Sequence, residues 1–455
     1  MLNNLQHLAT STASHAQLQS QFSDLHPPLS PRSAIIESQR CLYCYDAPCV
    51  RSCPTEIDVP SFIAFIAQGN PTIAARTIYA ENILGGSCAR VCPTEILCEQ
   101  ACVRNHEQEA QPVQIGLLQR FALDHAQFIR HPFQAAAATG YKVAVIGAGP
   151  AGLACAHRLA LLGNQVDIFE ASSKPGGLNE YGIARYKLND DFAQKEVAFL
   201  LEIGSIQLHY DHALGNNLAL ETLMQQYDGV FLGIGLSAGR QLNLDAEESP
   251  GITGACDYIR ELRQSDDLSQ LPLPKQCLVL GGGSTAIDMA VQIKRLGAES
   301  VIIVYRRGEA EMSATSEEQQ LAKLHQIRFI TWAQPLALLL NQQQQVRGMQ
   351  FEKTYLIDGL IQTTGERFDL PAEAIFRAIG QQLGPAVWQD SWTRELKPEH
   401  GKIYVDAQFR TSMAGVYAGG DCVTAGQDLT VYAVQQGKLA ALAIHADLQT
   451  ETHHG

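Results

Sequence analysis

The 455-residue sequence contains no run close to the roughly 18 consecutive apolar residues of a membrane-spanning helix, so no membrane role is expected. Its opening, MLNNLQHLATSTASHAQ, lacks a basic stretch followed by an apolar one and does not read as a secretory signal. Positive charge is scarce. Against 47 Asp and Glu stand 33 Lys and Arg, a net charge of -14, which argues against nucleic acid or an anionic membrane as partner. The histidines are dispersed and show no metal spacing. No H-E-x-x-H occurs, and no catalytic triad is visible. What remains is ordinary for a soluble enzyme: 46% hydrophobic, 18% charged, and long enough for two to four domains with ample cores.

Cysteine is unevenly spread. Eight of the twelve lie between residues 41 and 102. The first group, CLYCYDAPCVRSCP, spaces as C-x2-C-x4-C-x3-C-P (Cys41, Cys44, Cys49, Cys53). The second spaces as C-x3-C-P-x4-C-x3-C (Cys88, Cys92, Cys98, Cys102). In a reducing cytoplasm, the compartment expected here, such clustering points to metal rather than disulfides. Runs ending in Cys-Pro are typical of chains that hold two [4Fe–4S] clusters, the fourth cysteine often reaching the other cluster. Two structural zinc sites of four cysteines each are the alternative. Cys155, Cys256, Cys277 and Cys422 stand alone. With no C-x-x-C after the C-terminal motif, a dithiol mechanism of the thioredoxin-reductase type is not expected.

The chain divides by pattern into an α/β protein with a helical front. Residues 1–33 read as a poorly ordered lead-in with room for a helix, and 34–135 as an all-helical domain carrying the cysteines. Two Rossmann-like nucleotide-binding domains follow. The first spans 139–240 and resumes at 370–455; the second, 241–369, is inserted in it. AIFRAIG and GVYAGGDC are read as strands completing the first domain, followed by a helix from about Leu429.

In the first, VAVIGAGPAGLACA places Gly147, Gly149 and Gly152 in G-x-G-x-x-G spacing after an apolar strand. These glycines allow a tight turn and close backbone approach to a pyrophosphate at a helix N-terminus. Glu170 ends the second strand, placed for a ribose hydroxyl. In the second, VLGGGSTAIDMA gives Gly281, Gly283 and Ala286 as G-x-G-x-x-A. After the next strand come Tyr305, Arg306 and Arg307 instead of an acid. Arginine there accommodates a 2′-phosphate, which favours NADPH on physical grounds; Arg306 stacked on adenine would be indifferent to that phosphate.

ESQRCLYCYDAPCVRSCP, SCARVCPTEILCEQAC and PVQIGLLQRF resemble the N-terminal iron–sulfur domain of dihydropyrimidine dehydrogenases, and the resemblance runs over residues 35–445. GVYAGGDC resembles the second flavin motif of the two-domain disulfide-reductase-like flavoproteins and implies FAD, with Asp421 at its ribityl or phosphate side. GGLNEYGIARYKL, which includes Gly177, resembles the stretch beside the isoalloxazine, although Ala184 stands where the family has proline. Lys187 is then a candidate for the flavin edge. Asp288 is a candidate for the nicotinamide, or else an acid favoured by the helix dipole.

By the same resemblance one cluster takes Cys41, Cys44, Cys49 and Cys102, and the other takes Cys53, Cys92, Cys98 and Gln119. Cys88 is left as a spare thiol or as the eighth ligand in place of Gln119, which would then be a helix-surface glutamine. The bacterial pyrimidine enzymes are NADH-linked, so the family implies NADH where the arginines suggest NADPH. The function implied is an NAD-dependent oxidoreductase subunit in pyrimidine catabolism. It would exchange electrons between NADH, FAD and two [4Fe–4S] clusters and pass them to an FMN-containing barrel subunit that interconverts uracil or thymine and the 5,6-dihydro forms. The small subunit of glutamate synthase, using NADPH, shares the domain order and is the nearest rival. A general NAD(P)H-dependent electron-transfer flavoprotein serving several partners is another.

Overall fold

The computed structural model describes residues 2–106, 110–388 and 395–451. The lead-in is folded, which corrects the expectation of a poorly ordered segment. Ser14 opens α1 (His15–Gln21) with a capping box closed by Gln17. Leu18 and Phe22, one helical turn apart, are buried together with Leu5. The segment's polar composition hid this, because three apolar anchors suffice to dock it.

Residues 26–141 form helices α2 (Pro31–Ser38), α3 (Val59–Ala67), α4 (Pro71–Glu81), α5 (Gly85–Val91) and α6 (Ile115–Asp124), with no strand among the described residues. α3 and α4 begin alike. A side-chain oxygen, of Asp58 or Asn70, accepts the backbone N–H three residues on, and proline occupies the first turn where its missing N–H costs nothing. Phe62, Ile63, Ile66, Ala74, Ile78, Leu118 and Phe121 fill the core between these helices, with Cys41, Cys49, Cys53, Cys98 and Cys102 packed against it.

The first nucleotide-type domain runs β1 (Lys142–Ile146), α7 (Pro150–Leu161), β2 (Gln165–Phe169), α8 (Phe192–Leu201), β3 (Ile206–His209) and β4 (Gly229–Leu232). The second runs β5 (Ile252–Gly254), β6 (Gln276–Leu280), α9 (Ser284–Leu296), β7 (Ser300–Val304), α10 (Ser316–Leu324) and β8 (Arg328–Ile330). An antiparallel trio, β9 (Ala333–Leu340), β10 (Val346–Ile357) and β11 (Leu360–Pro371), and then β12 (Ala374–Arg377) extend it. The chain returns through β13 (Val416–Ala418) and α11 (Thr430–Glu451).

Two parallel sheets result, ordered β13-β4-β1-β2-β3 and β5-β12-β6-β7-β8. The strands β1, β4, β6, β7 and β12 are near-continuous buried apolar runs, the pattern of a parallel sheet covered on both faces. The return to the first domain comes later than expected. AIFRAIG supplies β12 to the second sheet, where Ile375 pairs with Ile252 on one side and Leu278 on the other. A strand buried on both faces carries no alternation that would assign it to one sheet over another.

The chain separates into two compact units. One comprises Met1–Leu25, Tyr181–Asn189 and Ala238–Gln381; the other comprises His26–Glu180, Asp190–Ser237 and Gln382–Gly455. The segment Tyr181–Asn189, which includes Lys187, thus packs with the second sheet and not with the first, where the expected boundaries had put it. The cysteine-bearing helices and the first sheet belong to one unit.

Candidate functional site

None of the twelve cysteines is joined in a disulfide. Among the described residues no group of three or more His, Cys, Asp or Glu side chains is arranged to hold a single metal ion. The eight clustered cysteines instead form two neighbourhoods. Cys41 is close enough to Cys44 and Cys102 to feel their charge, and Cys49 feels Cys41 and Cys102. Cys92 is affected by Cys88, Cys98 and Cys53, and Cys98 in turn by Cys53 and Cys49.

Burial first, with neighbouring thiols adding, pushes the Cys41 thiol above its ordinary range and lifts Cys49 to about 11; burial and then Glu99 raise Cys98, and the hydrogen bond with Cys88 followed by burial raises Cys92. Such sulfurs ionise together only around positive charge. That is the environment an iron–sulfur cluster supplies, its four thiolates lying on different irons instead of converging on one ion. The donor set therefore fits two clusters.

The eighth-ligand question has a definite geometry. Gln119 is not on the surface. It is buried on α6, and its Nε2 donates to the Gly85 carbonyl at 2.7 Å, at the start of α5. α5 carries Cys88, which is buried and hydrogen-bonded to Cys92. Both candidates thus touch α5, Gln119 at its first residue and Cys88 from its middle toward the C-terminal cap.

A residue that the sequence did not flag secures α5. Glu196 of α8 is buried and accepts from Gly86 N at 2.8 Å and Ser87 N at 3.0 Å, and also from the Ser87 hydroxyl. Burial, opposed by these donors, lifts its carboxyl to about 7. Next to it Arg90 lies over the Phe192 ring, 3.6 Å from its centroid, and pairs with Asp124 at 2.6 Å. The cysteine helices are thereby clamped onto the first sheet's domain.

That sheet ends in a phosphate-type cradle. Gly147 turns with φ +97°, and Gly149 caps α7. Gly177 (φ +54°) passes so close that a Cβ on it would lie 2.6 Å from the Gly149 Cα. Two backbones in contact leave room for a pyrophosphate where side chains would block it. Glu170 lies beside the turn, accepting from Ala148 N and Ser172 N, each at 2.8 Å.

Asp421 follows β13, and its neighbour Gly420 packs against Ala151 in the first turn of α7. Its carboxylate makes no hydrogen bond to another described residue. Burial, with Asp428 adding and Lys402 opposing, lifts it to about 6. Gly420 N donates to Gln436 of α11 at 2.6 Å, tying the motif to that helix. A cradle with a desolvated acid next to the glycine turn's helix fits a dinucleotide with a polar linker.

The second sheet repeats the turn. Gly281 has φ +144°, Gly283 caps α9, and Ala286 is fully buried. The Tyr305 ring covers Gly282. Arg306 is exposed, and neither the Arg306 nor the Arg307 guanidinium forms an ion pair with another described residue, so both charges are available to a ligand.

Lys187 and Asp288 are brought together. The Lys187 ammonium lies 2.8 Å from Asp288 Oδ1 and 2.9 Å from Glu318 Oε1. The Tyr186 hydroxyl donates to Asp288 at 2.9 Å, and Ser284, first residue of α9, donates to Glu318 at 2.9 Å. Although burial disfavours its charge, the two carboxylates raise the Lys187 pKa and hold it as ammonium. Burial raises Asp288, whereas the lysine keeps Glu318 ionised. Glu318 was missed in the sequence. Its one signal, the capping-box pattern Thr315–Glu318, marks a helix start and not a partner for Lys187.

A family model described as dihydropyrimidine dehydrogenase domain II, 4Fe–4S cluster, matches residues 18–130, and one described as pyridine nucleotide-disulphide oxidoreductase matches 141–437. The chain is 35% identical over 432 residues, 95% of its length and 98% of the relative's, to the NAD-dependent dihydropyrimidine dehydrogenase subunit PreT of Salmonella typhimurium. It is 32% identical to the NADPH glutamate synthase small chain of Halomonas elongata, covering 93% of each. The solved structure of Mycobacterium tuberculosis FprA in complex with NADPH superposes with a TM-score of 0.58 at 18% identity, over 69% of this chain and 86% of that one. That likeness establishes the fold. At this identity over nearly the whole of both chains, the protein belongs to the family of NAD-dependent dihydropyrimidine dehydrogenase PreT subunits, which shares its architecture with the glutamate synthase small chains.

Proposed function

We infer that the chain is the electron-input subunit of an NAD-dependent dihydropyrimidine dehydrogenase. The observation that carries this reading is one compact unit holding both cysteine neighbourhoods and a flavin-type cradle, clamped together through Glu196. When bound, a flavin exchanges electrons with nicotinamide in pairs and with iron–sulfur clusters singly.

The chain's residues do the placing. Gly147, Gly149 and Gly152 admit the FAD pyrophosphate, Glu170 its ribose, and Asp421 its ribityl side. Gly281, Gly283 and Ala286 admit the nicotinamide dinucleotide, with Arg306 and Arg307 at its adenosine end. Lys187 and Asp288, locked with Tyr186 and Glu318, fix the nicotinamide end of that site. Cys41, Cys44, Cys49 and Cys102 hold one cluster; Cys53, Cys92, Cys98 and Gln119 hold the other. Near Cys41 and Cys44 the chain leaves Leu42, Tyr43 and Tyr45 exposed. This apolar rim supports an exit for electrons toward a separate subunit, an FMN-containing barrel that interconverts uracil or thymine and the 5,6-dihydro compounds.

NADH is the coenzyme that the relatives' name supports. The free arginines, and the equally long match to a glutamate synthase small chain, support the alternative of NADPH feeding glutamine-dependent amination of 2-oxoglutarate. The deciding assay uses the complex isolated anaerobically through this chain, with NADH and NADPH oxidation followed once with uracil and once with glutamine plus 2-oxoglutarate. Uracil-dependent oxidation of NADH is expected. Turnover only with glutamine and 2-oxoglutarate would overturn the reading.

A further inference from the structure

A buried lysine that plays no part in the nucleotide sites lies on α11. The Lys438 ammonium donates to the Thr55 carbonyl at 3.1 Å and pairs with Glu81 at 2.9 Å. Thr55 is fully buried, two residues after Cys53, and its hydroxyl lies 3.4 Å from the Cys53 sulfur. Asn82 supports that hydroxyl from the other side, at 3.4 Å. Lys438 therefore reaches from the helix that packs on α7, across the boundary with the cysteine helices, to the loop carrying Cys53.

A lysine is rarely buried unless something compensates it. Here the compensation is lopsided. The side-chain exposure of Lys438 is 9%, whereas that of Glu81 is 44%. Water screens the carboxylate more than the ammonium, so the loop sees a net positive field.

We propose that Lys438 sets the reduction potential of the cluster held by Cys53, Cys92 and Cys98. The inference rests on the cluster assignment made above. Each electron that enters a cluster adds one negative charge. A cation fixed beside one ligand loop, in a medium of low dielectric, stabilises the reduced form. The other neighbourhood, Cys41, Cys44, Cys49 and Cys102, has a cation of its own, Arg104, whose charge is felt at Cys41 and whose Nε donates to the Arg40 carbonyl at 2.8 Å. Lys438 thereby raises the potential on the Cys53 side above the value that cluster would have without it. Lys438 is a positioning charge: it touches the Thr55 backbone and not the cluster.

The test is a dye-mediated redox titration of the anaerobically purified, cluster-loaded chain, read by the EPR signals of the reduced clusters. Lys438→Met is expected to shift one midpoint negative and leave the other in place. Glu81→Gln, a change at a half-exposed side chain that should leave folding intact, is expected to shift the same midpoint positive. Lys438→Arg keeps the charge and is expected to stay near the wild-type value. Opposite shifts from the first two variants separate a field from loosened packing, which would move both the same way. An unmoved midpoint in Glu81→Gln, or shifts of one sign in both, overturns the inference while the cluster reading stands. A wild-type chain that carries flavin but no cluster signal overturns the reading beneath it, and the inference with it.

Discussion

The Lys187 ammonium lies 2.8 Å from Asp288 and 2.9 Å from Glu318, one cation between two carboxylates. Removing it leaves both acids buried with hydroxyl donors from Tyr186 and Ser284 but without their cation. Lys187→Met is therefore expected to lower stability by about 3–5 kcal/mol, measured by denaturant unfolding. Most of that loss should return in the triple variant Lys187→Met, Asp288→Asn, Glu318→Gln, which removes the uncompensated charge. Flavin bleaching by NADH should remain slow in that triple variant despite its recovered stability. Recovery of both together would show that the network only holds the fold.

Glu196 gives a pH dependence of definite sign. Its folded-state pKa, about 7, lies above its ordinary 4.5, so the folded state binds the extra proton between those values. Its contribution is fully present below about pH 4.5 and is lost as pH rises through about 7. The span corresponds to about 3 kcal/mol. Stability measured across this window should fall with rising pH in the wild type and flatten in Glu196→Gln, which keeps an acceptor for Gly86 and Ser87 but cannot ionise. An equal slope in both proteins would place the titration elsewhere.

How far these features could be read from sequence depends on their range in the chain. The glycine turns at Gly147 and Gly281 are local: a strand, a turn and a helix within 20 residues, each step dictated by backbone sterics. The cysteine spacings are local too. Glu196 and Lys438 were not legible. Each acts on a backbone more than a hundred residues away, and neither has a neighbour pattern that sets it apart from a surface charge. The lead-in and β12 failed for a different reason. Hydrophobic pattern tells that a residue is buried, but not which core receives it.

Arg306 and Arg307 are free of ion pairs to other described residues, so their charge should report directly on the coenzyme. A charge-assisted contact to a 2′-phosphate contributes roughly 1.5–3 kcal/mol. Replacing both arginines by alanine is expected to cut kcat/KM for NADPH about 10- to 100-fold, and to change that for NADH by less than about threefold. An equal loss with both coenzymes would mean that the arginines hold the adenine or the pyrophosphate instead.

The eighth ligand is decided by three single substitutions in the anaerobically purified chain. Cys53→Ala should lose one cluster, about four of eight irons, while FAD stays bound, because the glycine cradle and Asp421 are untouched. Cys88→Ala should keep both clusters. Its thiol lies within hydrogen-bond reach of Cys92, so proximity alone does not make it a ligand. Gln119→Leu removes the amide that bonds Gly85 and should lose the same cluster as Cys53→Ala. If Cys88→Ala loses that cluster and Gln119→Leu retains it, the thiol is the ligand, and the glutamine serves only to fasten the first turn of α5.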